Sequence, residues 1–263
     1  MSATGSPSSP ARRTDSLPHP KCLTLASGLV LDARRAVFLP EFSVLAVADL
    51  HLGYSWAQRS RGLLLPVETP DSTPARLTDL VQDHAPQTVV LLGDLVHRAI
   101  AQPALRTALE DLCRSLAGTR IVLCLGNHDL RFDQLAADWR VPITITPELR
   151  LGQWRLRHGD DPPTEAETPP LTLDSEPPLT VIGHEHPTVE LNDGLATRVR
   201  VPCFLVSDNL VILPAFSDWA AGCVVGRHSF LGKAAQSVRF HTAYACLGPR
   251  LLPLPFGRRG IGK

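Results

Sequence analysis

Three short apolar runs, rich in β-branched residues, constrain the fold of this 263-residue chain more than any other feature. The runs at 43–49, 87–94 and 119–127 each end in a turn, as buried strands covered on both faces do. Patterns typical of amphipathic helices lie between them, at 74–85 and 103–118. This alternation predicts strand–helix–strand units with right-handed crossovers, and therefore an α/β fold.

The second half of the chain predicts further strands with a different spacing. The pair Asp208-Asn209 separates the last two of them and is a fair signal of a hairpin turn. The segment 159–179 contains six acidic residues, six prolines and no basic residue, so we expect an exposed loop there. These strands are predicted at 143–146, 154–158, 179–183, 204–207 and 210–213.

The length of the chain is enough for one substantial core, and we expect a single domain at 21–254. Residues 1–20 are rich in Ser and Pro and predict a disordered tail, whereas 255–263 predict a basic C-terminal tail. The 26 acidic and 26 basic residues balance, so the overall basic charge of many nucleic-acid-binding proteins is absent. The stretch 219–263 nevertheless has no acidic residue, which suits a solvated face and a surface for polyanions equally well.

The cysteines and the apolar stretches indicate the compartment. The six cysteines are scattered without a CxxC pair, which favours reduced thiols in a cytoplasmic protein. The N-terminus has no apolar signal-peptide region, and no later stretch reaches the roughly 18 apolar residues of a membrane span. We therefore expect a soluble cytoplasmic protein without a membrane partner.

Side chains that can bind a cation recur where these strands end. Because open α/β sheets bind ligands at the carboxyl ends of their strands, we expect these side chains to converge. Each motif alone is weak, since Gly-Asp is also typical of a helix cap, but their ordered succession favours a site. Five of the ten histidines belong to the motifs, which are Asp49-Leu50-His51, Gly93-Asp94, Gly126-Asn127-His128-Asp129, His158-Gly159-Asp160 and Gly183-His184-Glu185-His186.

The types of these residues suit a pair of metal ions. Side chains two apart on an extended segment point the same way, so Asp49 with His51, and His184 with His186, can each reach one place. An aspartate can bridge two cations, and two cations about 3.5 to 4 Å apart clamp the oxygens of a phosphoryl displacement. Imidazole and carboxylate ligands without thiolate favour manganese, iron or zinc over a soft metal and leave the choice among these three open.

In this order the motifs resemble those of the calcineurin-like metallophosphoesterase superfamily over about residues 40–190. The resemblance implies a four-layer α/β/β/α sandwich with two β-sheets between helices. It implies that His128 acts beside the substrate phosphate as general acid or transition-state stabiliser, with Asp129 orienting its ring. It also implies two metal ions, one held by Asp49, His51, Asp94 and His186, the other by Asp94, Asn127, His158 and His184.

Residues 22–226 are similar, more narrowly, to the bacterial DNA-ligase-associated DNA damage response endonucleases. This resemblance implies a manganese-dependent DNA phosphodiesterase or endonuclease of DNA repair, in which metal-activated hydroxide attacks phosphorus in line. It further implies DNA as substrate and association with an ATP-dependent DNA ligase, a helicase and a second nuclease.

Two other functions fit parts of the same pattern. A phosphohydrolase of a small nucleotide or a lipid-linked pyrophosphate would suit the neutral overall charge. A catalytically silent scaffold would keep the fold but would not need Asn127, His128 and both histidine pairs. The sequence leaves open whether His97, three residues after Asp94, hydrogen-bonds near the site or is simply buried.

Overall fold

The computed structural model describes residues 20–59, 62, 73–98, 102–160, 178–192, 197–220, 222–227 and 229–256. Within these residues, no helix is long and apolar enough to cross a membrane. The helices are a 3-10 helix at Pro40–Phe42 and α1 Tyr54–Arg59, α2 Thr73–His84, α3 Pro103–Ser115, α4 Phe132–Trp139 and α5 Lys233–Gln236. The strands are β1 Cys22–Thr24, β2 Val30–Asp32, β3 Ala36–Leu39, β4 Val44–Ala48, β5 Thr88–Leu92, β6 Arg120–Cys124, β7 Thr144–Thr146, β8 Glu148–Leu151, β9 Trp154–Arg157, β10 Leu179–Ile182, β11 Pro187–Asn192, β12 Arg198–Val206, β13 Leu210–Ile212, β14 Cys223–Val224, β15 Thr242–Leu247 and β16 Arg250–Pro255.

The first sheet runs in chain order from β1 to β7. Strands β4 to β7 are parallel, and the register pairs Ala48 with Leu92 and Leu92 with Cys124, so their carboxyl ends are level. The segments that follow these strands therefore leave the sheet side by side at one edge. Strands β1 to β3 extend the sheet on the other side as an antiparallel meander.

Strand β4 explains why the predicted apolar runs are continuous. Its residues alternate between two cores: Leu45 and Val47 pack with the helices, and Ala46 and Ala48 face the second sheet. All of these are buried, and each large apolar side chain so buried contributes about 1.5 to 3 kcal/mol. The helical side of this core is filled by leucines of α2 and α3, including Leu77.

One face of the second sheet packs against the first sheet. Its other face is covered by a separate cluster of apolar side chains. Its described strands run in the order β14-β11-β12-β13-β10-β9-β8, with β15 and β16 added beside β12. Trp154, Leu156 and Val181 fill the core between the sheets. Phe230, in the segment before α5, and Phe240 cover its outer face. The four-layer α/β/β/α sandwich is thus confirmed, although in the described residues the outermost layer holds only the short helix α5.

Most predicted elements are present. Several have shorter bounds than predicted, whereas β12 is longer and begins at Arg198. The hairpin of β12 and β13 is confirmed, and Ser207 Oγ closes its turn 2.9 Å from the amide nitrogen of Leu210. The sequence interpretation missed β1 to β3, β8, β11, β14 to β16, α1, α4 and α5, whose apolar patterns are short or interrupted by proline. Strand β16 continues to Pro255, one residue beyond the predicted domain boundary. Nearly all of the predicted tail at 1–20, the greater part of the loop at 159–179 and most of the tail at 255–263 lie outside the described residues and stay predictions.

Candidate metal centre

The segments that follow β4 and β5 remain paired beyond the ends of the strands. The amide of Asp49 donates to the Gly93 carbonyl oxygen at 3.2 Å, and the amide of His51 donates to the Asp94 carbonyl oxygen at 2.8 Å. Asp49 and Asp94 are therefore held side by side by the backbone before their side chains contribute. This arrangement brings the first two motifs together at the edge of the sheet.

Five motif residues adopt the left-handed backbone conformation, which corrects the reasoning from extended segments. Asp49, His51, Asp94, His184 and His186 have φ angles of 57°, 49°, 48°, 67° and 45°. Their convergence thus comes from tight turns and not from alternation along a strand. Such conformations cost about 1 to 3 kcal/mol each in residues other than glycine, and they concentrate at functional sites.

One group of side chains places four donor atoms around a common point. Each of the four residues offers one potential ligand atom, and these atoms lie within 4.8 Å of one another. His186 Nε2 is 3.3 Å from Asp49 Oδ1 and 3.4 Å from His51 Nε2, and His51 Nε2 is 3.9 Å from Asp94 Oδ2. The group contains Asp49, His51, Asp94 and His186, three of them buried.

A second group surrounds the ring of His158. Its Nε2 lies 3.1 Å from Asn127 Oδ1, 3.1 Å from His184 Nδ1 and 3.5 Å from Asp94 Oδ1. Asp94 therefore contributes Oδ2 to the first group and Oδ1 to the second. The structure brings together all seven side chains that the resemblance implies as metal ligands, with Asp94 between the two groups.

The orientation of His158 is fixed from behind. Its Nδ1 lies 2.9 Å from the carbonyl oxygen of Leu92, and the side chain is 1% exposed. When Nδ1–H donates to that carbonyl, Nε2 keeps its lone pair directed at Asp94 and Asn127, as a metal-binding histidine requires. No feature of the sequence indicates that Leu92 supplies this contact, because the contact uses only its backbone.

Two glycines make room for these side chains. A Cβ atom on Gly93 would lie 2.2 Å from His158 Nδ1, and the φ angle of this glycine is 71°. A Cβ atom on Gly126 would lie 2.5 Å from Asp94 Oδ1. Any larger residue at either position would displace a side chain of the site.

The electrostatics of the site suit a cation that the chain itself does not supply. Burial, and then the charge of Asp49, raises the pKa of Asp94. Burial lowers the pKa of His51 to about 3, so its ring is neutral and carries a lone pair. Among the described residues no Lys or Arg forms an ion pair with Asp49 or Asp94, and His51 Nδ1 is buried without a hydrogen-bond partner. Close carboxylates with imidazole nitrogens form a donor set that fits a divalent cation.

The roles of His128 and Asp129 differ from the expectation in one respect. His128 lies beside the first group, with its ring edge-on to that of His51 at 5.2 Å. Its Nδ1 is 3.1 Å from the carbonyl oxygen of His97, which therefore orients the ring. The carboxylate of Asp129 instead accepts hydrogen bonds from the amides of Val96 and Gly126, at 3.1 and 3.0 Å. The prediction that Asp129 orients the ring is therefore corrected. Asp129 joins two motif loops, because its carboxylate accepts one backbone amide from each of them.

The position of His97 resolves the alternatives that the sequence left open. Its ring stacks on His128, with centroids 5.2 Å apart, and meets Tyr54 edge-on at 4.8 Å. Tyr54 in turn stacks on Trp219 at 6.3 Å. His97 therefore belongs to an aromatic wall beside the first group of donors.

Comparisons with known proteins identify a family and similar solved structures. The family model described as calcineurin-like phosphoesterase matches residues 42–194, which is more than half of the chain. The solved structure of Pseudomonas putida nuclease MPE is 25% identical and has a TM-score of 0.64, covering 89% of this chain and 98% of that one. Yfce, a phosphoesterase from E. coli, is 15% identical with a TM-score of 0.40, covering 81% of this chain and 98% of that one. A comparison with curated proteins finds no match.

The match to the family model includes the motif residues from Asp49 to His186, and the nuclease structure supports the narrower resemblance. The chain therefore belongs to the calcineurin-like phosphoesterase family.

Proposed function

We propose that the protein is a phosphodiesterase with two divalent metal ions, and that it cleaves DNA. The observation that carries the proposal is the position of Asp94, whose two carboxylate oxygens face two separate groups of donors. A bridging carboxylate of this kind suits two cations that act on one phosphate. The similarity to a nuclease over 89% of the chain favours a nucleic acid as the substrate.

The two groups would divide the ions between them. Asp49, His51, Asp94 and His186 would hold one, and Asp94, Asn127, His158 and His184 the other. When bound, such ions lower the pKa of a water molecule toward neutrality and neutralise charge on phosphoryl oxygens. We propose manganese as the metal, with iron or zinc as alternatives, because imidazole and carboxylate suit these ions.

His128 would act on the substrate and not as a metal ligand. Because its Nδ1–H can donate to the His97 carbonyl, its Nε2 is available to the substrate phosphate. From there it would donate to a phosphoryl oxygen or deliver a proton to the departing oxygen. The stacked ring of His97 limits the rotation of His128 and keeps this nitrogen in place.

An assay on purified full-length chain tests the proposal. Metal-stripped protein should be inactive and should recover with Mn²⁺ on covalently closed circular DNA and on a bis-aryl phosphodiester. Closed circles have no ends, so their cleavage requires an endonuclease. Preferential hydrolysis of a mono-aryl phosphate, a free nucleotide or a lipid-linked pyrophosphate would contradict the DNA assignment, and no bound metal under any loading would favour a scaffold.

The role of His128 has its own test. His128→Ala should keep its bound metal and lose activity by about 10²- to 10⁴-fold, as expected for a general acid. The matched control is His241→Ala, because His241 is about half exposed and pairs with Asp208 on the surface. Loss of metal in His128→Ala would contradict the assigned role.

Association with an ATP-dependent DNA ligase, a helicase and a second nuclease stays a prediction from the narrower resemblance. Co-purification of the protein with those partners from cells, with and without nuclease treatment, would test for it directly.

A further inference from the structure

Glu185 lies between His184 and His186, two of the proposed metal ligands, yet its side chain turns away from them. Its Oε2 accepts a hydrogen bond from the Leu231 amide at 2.8 Å, and its Oε1 accepts one from the Gly232 amide at 2.6 Å. The residue is 3% exposed. A carboxylate so buried is costly unless it is hydrogen-bonded, so these contacts explain why it is tolerated there.

The turn at 230–232, here called the anchor turn, is itself fixed to the outer layer of the fold. Phe230 is buried in the core outside the second sheet, where it meets Phe240 edge-on at 5.4 Å. The side-chain amide of Gln236 donates to the Phe230 carbonyl oxygen at 2.6 Å. These contacts hold the anchor turn in place, so the amides of Leu231 and Gly232 offer Glu185 a fixed pair of donors.

The anchor turn also touches the segment that follows another proposed ligand. A Cβ atom on Gly232 would lie 2.6 Å from the carbonyl oxygen of Gly159 and 3.0 Å from Glu185 Oε1. Gly159 comes directly after His158. The support therefore reaches both segments of the second sheet that carry metal-ligand candidates.

The loop that Glu185 holds is under backbone strain. His184 and His186 have φ angles of 67° and 45°, which must be maintained by contacts elsewhere. The His184 amide donates to Asp49 Oδ2 at 3.0 Å on the inner side of the loop. Glu185 supplies the fixed contact on the outer side.

We infer that Glu185 is a positioning residue that holds His184 and His186 in their metal-binding geometry through the anchor turn. The inference rests on the proposed metal-dependent function. Substitution of residues that hydrogen-bond to and orient metal ligands typically lowers metal affinity or activity by about 10- to 100-fold. Glu185 contributes to metal affinity and does not touch the substrate.

The test is a Mn²⁺ titration of metal-stripped full-length chain, with unbound Mn²⁺ measured by electron paramagnetic resonance. Glu185→Gln keeps the size of the side chain but replaces one acceptor by an NH₂ group that faces an amide donor. We expect its Mn²⁺ affinity to fall by about 10- to 100-fold. Glu190→Gln is the matched control, because the partner of Glu190 is Arg227, outside the anchor turn at 230–232, and its affinity should not change.

A second variant changes the anchor turn instead of Glu185. Gly232→Ala adds a methyl group where the Gly159 carbonyl oxygen would be 2.6 Å away, so the anchor turn must move. It should weaken Mn²⁺ binding as Glu185→Gln does, and it keeps the test decisive if Glu185→Gln does not fold. In both variants, saturating Mn²⁺ should restore the maximal cleavage rate, because only metal affinity is affected.

Wild-type Mn²⁺ affinity in folded Glu185→Gln or Gly232→Ala would overturn the inference, as would a cleavage rate that saturating Mn²⁺ does not restore. These results differ from a failure of the proposed function, in which the wild-type chain itself would bind no metal.

Discussion

Two clusters in this protein combine a buried aspartate with histidine, and they differ in what balances the carboxylate. One is the candidate metal centre around Asp94. The other contains Cys22, Asp32 and His84, whose potential ligand atoms also lie within 4.8 Å of one another. Proximity of suitable donor atoms therefore does not distinguish them.

The Asp32 cluster already contains its cation. Arg34 Nε and Nη2 donate to the two carboxylate oxygens of Asp32 at 2.9 and 2.7 Å, and His84 Nε2 lies 2.9 Å from Oδ2. Burial acts to raise the pKa of Asp32, but the bonds from Arg34 and His84 outweigh it and hold this pKa well below its ordinary value. Burial and the charge of Asp32 raise the pKa of Cys22 to about 11, so the thiol stays protonated beside the Asp32 carboxylate.

The Asp94 cluster has no such partner among the described residues. Its ion-pair contacts are to His51 and His158 only, and burial raises the pKa of Asp94. The difference teaches that a carboxylate–histidine cluster indicates a metal when the chain supplies no permanent cation of its own. Substitution of Asp94 should therefore weaken metal binding, whereas substitution of Asp32 should lower the free energy of unfolding.

The largest expected effect is on metal binding in Asp94→Asn. We expect its Mn²⁺ affinity to fall by more than about 100-fold, beyond the loss typical of residues behind the ligands, and cleavage to be abolished. The metal-free chain should be no less stable than wild type, because the substitution removes a charge that Asp49 opposes. Mn²⁺ titration and urea unfolding of the metal-free variant measure both; wild-type Mn²⁺ affinity would refute the bridging role.

Asp32→Asn should have the opposite pattern. Removal of one partner from a buried ion pair costs about 3 to 5 kcal/mol, and Asp32 is the buried partner of Arg34, whose other carboxylate partner is the half-exposed Asp83. The free energy of unfolding should fall accordingly in urea titrations, while the Mn²⁺ affinity stays at the wild-type value. Asp83→Asn is the comparison variant, because Asp83 also pairs with Arg34 but is about half exposed, so its loss should cost less. A loss of bound Mn²⁺ in Asp32→Asn would show that the two clusters are not independent.

Addition of metal should stabilise the chain through one cluster only. At a Mn²⁺ concentration of about 100 times the dissociation constant, the wild-type free energy of unfolding should rise by about 2.7 kcal/mol per site. The rise should persist in Asp32→Asn and vanish in Asp94→Asn. Thermal unfolding with and without Mn²⁺ measures it, and a rise that survives in Asp94→Asn would place the bound metal elsewhere.

The smallest expected effect is the pH dependence that Asp32 contributes. Its pKa is lower in the folded chain than in the unfolded chain, so the unfolded chain takes up the proton first as the pH falls. The stabilisation is fully present above about pH 4 and is lost as the pH falls through the folded-state pKa. The free energy of unfolding should therefore drop less between about pH 5 and pH 3 in Asp32→Asn than in wild type. An equal drop in both would contradict the assignment.

The sequence was sufficient to predict the parallel core and the meeting of the motifs. The burial of β4 and β5 on both faces follows from continuous apolar runs, and parallel strands bring their carboxyl ends to one edge. Asp94 and His158 could be predicted as site residues because both lie at the ends of predicted strands. Local patterns carry this information because it depends on residue type and spacing.

The features that escaped prediction depend on tertiary contacts. The carbonyl oxygens of Leu92 and His97 orient His158 and His128, and a backbone contact leaves no mark on residue type. In the sequence Glu185 looks like any acidic loop residue. Its role depends on hydrogen bonds from the amides of the anchor turn, which is distant in the chain. Strands such as β1 are too short to show a period.

The most direct test of the central claim is a crystal structure of the chain grown with Mn²⁺, with anomalous scattering recorded for the metal. We expect two peaks on opposite sides of the Asp94 carboxylate, about 3.5 to 4 Å apart, one near His51 and His186 and the other near His158 and Asn127. A single peak, or density at Asp32 instead, would contradict the proposal that Asp94 is shared by two ions.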